Sequence, residues 1–217
     1  MTMRITWYGH AAFLIETVGL RIILDPYRSP DCGGYEPIAE QADLVVVSHE
    51  NDRYHSHLDQ IVPPFEVVHG LELPPDGRVV RGIQVRAVPV FETPDKRPGD
   101  EVTVLHFRSE GLHVVHLGDL GHALETHEVE PLRDADVLLA SAGGPPTIDF
   151  ALVPDLIRAI NPRIIVPMHY LTPKINLKIQ PVERFLEVLH GWPIDRPASS
   201  SFEVQGPRRV VLLDHAR

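Results

Sequence analysis

The stretch Ala42–Asp59, ADLVVVSHENDRYHSHLD, sets an unbroken apolar run directly against a loop crowded with imidazoles and carboxylates. Leu44–Val47 is too short for a helix and lacks the polar alternation of a half-solvated strand. It therefore predicts a strand buried on both faces, with His49 presented at its carboxyl end. His49, Asp52, His55, His57 and Asp59 fall within eleven residues. Imidazole and carboxylate are the donor types that suit zinc, iron or manganese. With 13 histidines in 217 residues, chance clusters are common, so this stretch alone leaves a metal site and a solvated histidine-rich loop both open.

The rest of the chain reads as short strands with few helices. Arg4–His10, Ala12–Thr17 and Arg21–Asp25 form antiparallel strands around a Val18–Gly19 turn, the third ended by Asp25-Pro26. Tyr27–Glu40 is a loop, and Ile61–Pro75 mixes a short helix with strand. Strands follow at Ile83–Val90, Val102–Arg108 and His113–Leu117, the first two separated by the polar, Pro- and Gly-punctuated Glu92–Asp100. Thr126–Leu132 reads as a weak helix with Thr126 as its N-cap. Asp155–Ile160 reads as a helix stopped by Asn161-Pro162, and Pro181 opens an amphipathic helix carrying Val182, Phe185, Leu186 and Leu189. Strands at Ala135–Ala140, Arg163–Pro167 and Arg208–Leu213 complete the pattern. DADVLLASAGG at Asp134–Gly144 echoes QADLVVVSHEN at Gln41–Asn51, as two αβ halves packed face to face would.

At this length and 43% hydrophobic content, one domain spanning residues 1–217 is expected. Twenty basic against 30 acidic residues, a formal net charge of -10, argue against a general nucleic-acid-binding surface. The single cysteine, Cys32, allows neither an intramolecular disulfide nor a multi-cysteine zinc site. No apolar run reaches the length of a membrane span, and no leader pattern opens the chain. A cytoplasmic location, a small-molecule substrate and no membrane partner are the expectations; self-association stays open.

Three separated segments carry a family resemblance. MRITWYGHAAFLIETVGLRIILDP at Met3–Pro26, HLGDLGH at His116–His122 and IIVPMHY at Ile164–Tyr170 resemble, in order and spacing, the metallo-β-lactamase fold. The branch they resemble contains ascorbate-phosphate lactonase and related metal-dependent hydrolases. The resemblance covers nearly the whole chain and implies an α/β fold, a four-layer αββα sandwich. The family's H-x-H-x-D-H motif, laid on His49, meets Asn51, Arg53 and Tyr54, so one ligand is kept and three are replaced. A further ligand position, usually histidine, falls at Glu92, while Asp119 and His169 are retained.

The resemblance thus implies a divalent metal, zinc first with manganese or iron as alternatives, held by some of His49, Glu92, Asp119 and His169. Asp119 and His49 are the candidate catalytic residues, and a metal-activated water is the expected nucleophile. A guanidinium at Arg53 about 5 Å from a second divalent cation would be repelled by roughly 7 kcal/mol at an effective dielectric of 20. One metal per chain is therefore expected, or an Arg53 turned away. His55, one residue beyond the degraded positions, either returns an imidazole to the cleft or sits on the exposed face of a following helix, and the same choice holds for His57. Asp52 is a cap of that helix or a substitute carboxylate. His10 and His122 either line the cleft or bond backbone in the core. Lys174 is an anion anchor or a solvated lysine. The leading function is hydrolysis of a small ester, lactone or phosphoester; the alternative is a catalytically silent relative that binds a small ligand or a partner.

Overall fold

The computed structural model describes residues 2–217. In chain order its elements are β1 (Arg4–Gly9), β2 (Ala12–Thr17), β3 (Leu20–Leu24), β4 (Leu44–Val47), β5 (Glu66–His69), β6 (Arg78–Val80), β7 (Ile83–Phe91), β8 (Glu101–Ser109) and β9 (Leu112–His116). There follow α1 (Thr126–Val129), β10 (Val137–Ser141), α2 (Val153–Ile160), β11 (Ile164–Met168), α3 (Val182–Val188), β12 (Ile194–Asp195), β13 (Ser201–Glu203) and β14 (Arg209–Val211). Two mixed sheets result, a six-stranded one ordered β13-β1-β2-β3-β4-β5 and an eight-stranded one ordered β12-β14-β11-β10-β9-β8-β7-β6.

Alternation along the strands of the smaller sheet sorts its side chains between two cores. Phe13, Ile15, Ile22, Leu24, Leu44 and Val46 join the core between the sheets, while Ala12, Leu14, Ile23, Val45 and Val47 face outward into a second cluster. The pleat sends neighbours to opposite faces, so a strand apolar at every position is one covered on both sides. That outer cover is built from loops: Tyr27, Cys32, Tyr35, Ile38, Ile61, Ile175 and Ile179 pack there. Pro26, Pro30, Pro37, Pro63 and Pro64 explain why these segments stay irregular, since each lacks an N–H and fixes φ. On the eight-stranded sheet the cover is helical. Val153, Leu156, Ile157 and Ile160 of α2, with Val182 and Phe185 of α3, share the main core with β10, β11 and β14. The sandwich is therefore the expected α/β one, with coil in most of one outer layer.

Local expectations differ in three places. No helix follows His49: residues 51–65 run as turns and coil. The cap of α1 is Glu125 rather than Thr126, in a capping box with Glu128, because a carboxylate at that position satisfies the first free N–H groups equally well. Helix α2 starts at Val153, two residues early, since Pro154 sits in its first turn where no backbone donor is needed, and left-handed Asn161 closes it at φ 54°. No helix among the described residues is long and apolar enough to cross a membrane.

The topology gathers chemistry at one edge. Strands β1, β3 and β4 run the same way, with β2 antiparallel between β1 and β3, and β9, β10 and β11 are parallel, with β7 pointing alongside them through antiparallel β8. The residues just past their carboxyl ends are His10, Asp25, His49, Glu92, Asp119 and His169. One close approach holds this edge together: a Cβ on Gly121 would lie 1.6 Å from the carbonyl oxygen of Glu92. Gly121→Ala is expected to destabilise by about 1–3 kcal/mol or more, as overpacking does, and urea unfolding of the variant against the natural protein reads it directly.

Candidate metal centre

The site is built outward from Asp25. It sits one residue past β3, fully buried and in a left-handed conformation at φ 43°. Its carboxylate accepts the Ser48 N–H at 2.7 Å on Oδ1, and the Ser48 hydroxyl at 2.7 Å and the His55 Nδ1–H at 3.0 Å on Oδ2. Because Ser48 Oγ donates to Asp25, it accepts the Nδ1–H of His49 at 3.0 Å, which leaves the Nε2 lone pair of His49 for the cleft. The same logic applies to His55: with Nδ1 as donor, Nε2 is the free ring nitrogen. A carboxylate orienting ligand imidazoles through their far nitrogen is a recurrent metal-site device.

The loop geometry explains how His55 arrives. The Asn51 carbonyl accepts the N–H groups of Tyr54, His55 and Ser56, and the Ser56 hydroxyl accepts the Asn51 N–H. These bonds coil residues 51–56 into one tight turn that drives the His55 ring inward, where it is wholly buried. Of the two positions the sequence left open for it, cleft or exposed helix face, His55 takes the first, because the coil ends after this single turn and no helix follows. His57 is also buried, but its Nδ1–H goes to Asp52 at the rim, 2.9 Å away, and Asp52 binds Arg28 in turn. Asp52 is thus neither a cap nor a cleft carboxylate. Arg53 turns outward, donating from Nε to the Asp31 carbonyl and lying 5.0 Å over the Tyr54 ring.

Around Asp119, itself 5% exposed, three imidazoles converge. His55 Nε2 lies 3.0 Å from Oδ2, His169 Nε2 lies 3.4 Å from Oδ1, and His49 Nε2 lies 4.0 Å from Oδ2. The His10 ring stacks obliquely on that of His169, with centroids 4.3 Å apart. Among the described residues, two groups have donor atoms all within 4.8 Å of one another: His10, His55 and His169, and His49, His55 and Asp119. His10 Nδ1, His55 Nε2, Asp119 Oδ1 and His169 Nδ1 are buried without a hydrogen-bond partner, so the short His55–Asp119 approach lacks hydrogen-bond alignment. Orphaned buried polar atoms are rare and costly. Lone pairs from several imidazoles around a carboxylate fit one thing well, a divalent cation.

Electrostatics agree. Burial, then neighbouring imidazoles, holds His10 well below its ordinary value and brings His49 down to about 4; burial likewise lowers His169. Burial would also lower His55, but Asp119 and Asp25 on its two sides push it up to about 10. Burial opposes ionisation of Asp119, yet His55 and His169 keep it well below the usual carboxylate range. Without a cation the His55 imidazolium offsets one of the two carboxylate charges of Asp25 and Asp119, and a metal binding at its Nε2 would displace that proton.

Of the residues expected at the site, His49, His55, Asp119 and His169 come together. Glu92 lines the same cleft, half-buried and raised by desolvation and by Asp119, but lies outside both donor groups. His122 bonds backbone at both nitrogens, accepting the Phe91 N–H and donating to the Ala123 carbonyl. Lys174 is absent from the cleft, and Lys178 stands in its wall instead. Sequence reasoning missed Asp25, whose Asp-Pro context reads as a strand terminator. The one available signal was its place directly past a strand end, as His49 lies just past the end of the next strand.

His55→Ala is expected to weaken zinc binding at least about tenfold, measured by competition with a chromophoric chelator. Zinc binding near pH 7.5 is expected to release about one proton per ion, with affinity rising as pH rises towards the folded value of His55. Calorimetry in buffers of different ionisation heat counts the proton; none released would mean that His55 is already neutral.

The comparisons with known proteins converge on this architecture. A family model described as a beta-lactamase superfamily domain matches residues 4–169. A UPF0173 protein of Pyrococcus furiosus is 30% identical over 183 residues, 78% of this chain and 84% of its own length. A UPF0173 metal-dependent hydrolase of Methanopyrus kandleri is 26% identical over 214 residues, 86% and 93% of the two chains. A crystal structure from Thermotoga maritima, proposed to be a zinc-dependent hydrolase of the metallo-β-lactamase superfamily, superposes with a TM-score of 0.76 at 32% identity, covering 97% of this chain and 98% of that one. These relatives do not single out the ascorbate-phosphate lactonase branch. A matching domain model over most of the chain, with relatives alike along nearly their whole length, places it in the metallo-β-lactamase superfamily, among the UPF0173 metal-dependent hydrolases.

Proposed function

We propose that this protein hydrolyses a small ester, lactone or phosphoester with a divalent metal, zinc first, held by His55, Asp119 and His169 together with His49 or His10. The observation that carries the reading is the convergence of unpartnered, buried donor atoms of His10, His55, Asp119 and His169 at the base of one cleft. A bound cation would polarise the scissile group and lower the pKa of a water beside it.

The chain's own residues do the rest. Asp119, held ionised, is the base best placed to accept a proton from an attacking water. Asp25 and Ser48 hold the rings of His55 and His49 in one tautomer. The cleft, about 220 Å³, is walled by Asn51, Tyr54, Pro146, Leu177 and Ile179, which suits a compact substrate. Exposed Lys178 offers a cation to an electronegative substituent of that substrate. The degraded motif does not retire the site on this reading, because His55 supplies an imidazole that Asn51 and Tyr54 cannot.

The test is hydrolysis of p-nitrophenyl esters, small lactones and phosphoesters by chelated and by zinc- or manganese-loaded protein. Activity is expected only with metal, and Asp119→Asn is expected to lower kcat by about 100-fold or more, the range of general-base loss. Turnover indifferent to chelation, or a loaded protein inert towards all three classes, favours the silent relative instead.

A further inference from the structure

At the other end of the strands that deliver Glu92 and Asp119, the solvent face of the large sheet carries a second polar cluster. Arg86 on β7 stands directly across from His106 on β8, and Arg108 on β8 directly across from His113 on β9. Residues opposite one another in antiparallel strands share a face, as do positions two apart, so Gln84, Arg86, His106, Arg108 and His113 form one patch. It opens on a cavity of about 440 Å³ lined by Gln84, Arg86, His106, Phe107, Arg108, Glu130 and Pro131.

The hydrogen bonds run in one direction. A guanidinium only donates, so Arg108 Nη2 gives its proton to His113 Nδ1, 3.2 Å away. His113 must then carry its proton on Nε2 and donates it to His106 Nδ1 at 3.3 Å. His106 is left with an Nε2–H that has no partner among the described residues. Both imidazoles are lowered, chiefly by burial, so at neutral pH they act as fixed neutral donors. Neither Arg86 nor Arg108 pairs with a carboxylate among the described residues, in a chain of formal net charge -10 where acidic partners abound. The one carboxylate on the rim among the described residues, Glu130, is engaged by Arg133 at 3.1 Å. The cavity thus presents donors and two unneutralised cations.

We propose that this cavity binds a small phosphate-bearing anion, its oxygens received by the guanidinium groups of Arg86 and Arg108 and by the Nε2–H of His106. Two fixed charges match a dianion, and guanidinium geometry favours phosphate oxygens. The volume, twice that of the metal cleft, leaves room for the rest of a phosphate monoester beside the phosphate group. The site stands apart from the catalytic reading and does not depend on it.

Isothermal titration of the metal-loaded protein with orthophosphate and with glycerol 3-phosphate tests it. Both should bind, and Arg86→Gln/Arg108→Gln should weaken both at least about tenfold, the loss expected for charge-assisted hydrogen bonds. Tighter binding of the monoester identifies an organic phosphate as the ligand; tighter binding of orthophosphate identifies the free ion. Glu130→Gln removes that rim carboxylate and should tighten binding, a gain that no structural defect produces. Affinity unchanged in the double variant would place the anion in the metal cleft and overturn the proposal. So would the absence of binding by the natural protein up to about 10 mM, a concentration at which even weak sites fill, or unchanged or weaker binding by Glu130→Gln. Should the double variant fail to fold, Arg86→Gln alone carries the same comparison, since its exposed side chain makes no hydrogen bond among the described residues.

Discussion

The carboxylate of Asp25 is the interaction on which the site depends. It is wholly buried, and its three hydrogen bonds tie the end of β3 to the end of β4 and to the turn that follows. Burial opposes its ionisation, but His116 and His55 beside it keep its pKa below the ordinary value, so the anion persists in the interior. Removing it would leave buried donors on Ser48 and His55 unpaired, at about 1–3 kcal/mol each. It would also free two imidazoles to rotate or change tautomer. A single buried charge thereby decides which nitrogens face the cleft.

The backbone has been bent to the same end. His10, Asp25 and His169 lie at φ 50°, 43° and 51°, a region that residues other than glycine rarely occupy. Each comes directly after a strand, where the chain must turn at once for the side chain to point into the cleft. Strain of this kind persists only where surrounding structure over-determines it. Here the His10 carbonyl does so, accepting both the His169 N–H and the Trp7 indole N–H at 3.0 Å. The two sheets are thus cross-linked where their candidate ligand residues meet.

The altered motif still brings an imidazole into the cleft, by a different route. Asn51 contributes its carbonyl rather than its side chain, winding residues 51–56 into the turn that delivers His55. Arg53, whose charge weighed against a second cation, points away and binds the neighbouring loop. The repulsion argument therefore sets no limit on metal number. With His55 deprotonated, Asp25 and Asp119 leave the pocket with two negative charges and no cation of its own, and that imbalance is the physical invitation to a metal.

Much was written in the sequence. The unbroken apolar run of Leu44–Val47 determined a strand covered on both sides, and the resemblance of three separated segments to the metallo-β-lactamase fold implied that His49, Asp119 and His169 would share an edge. Pro154, Asn161 and Pro181 marked helix ends through local backbone constraints that need no partner. The tertiary structure alone decided the rest. Asp25 looks like a strand terminator until Ser48 and His55, 23 and 30 residues away, are folded against it. His10 could line the cleft or bond backbone in the core, and His55 could enter the cleft or lie exposed; their places follow from left-handed backbone and a carbonyl-centred turn that no periodicity encodes. Glu92 stood at a ligand position in the motif, yet its depth in the cleft depends on how closely Gly121 lets one loop approach another. Spacing along a chain specifies strands and their ends; which donor atoms converge is settled by hydrogen bonds between residues far apart in sequence.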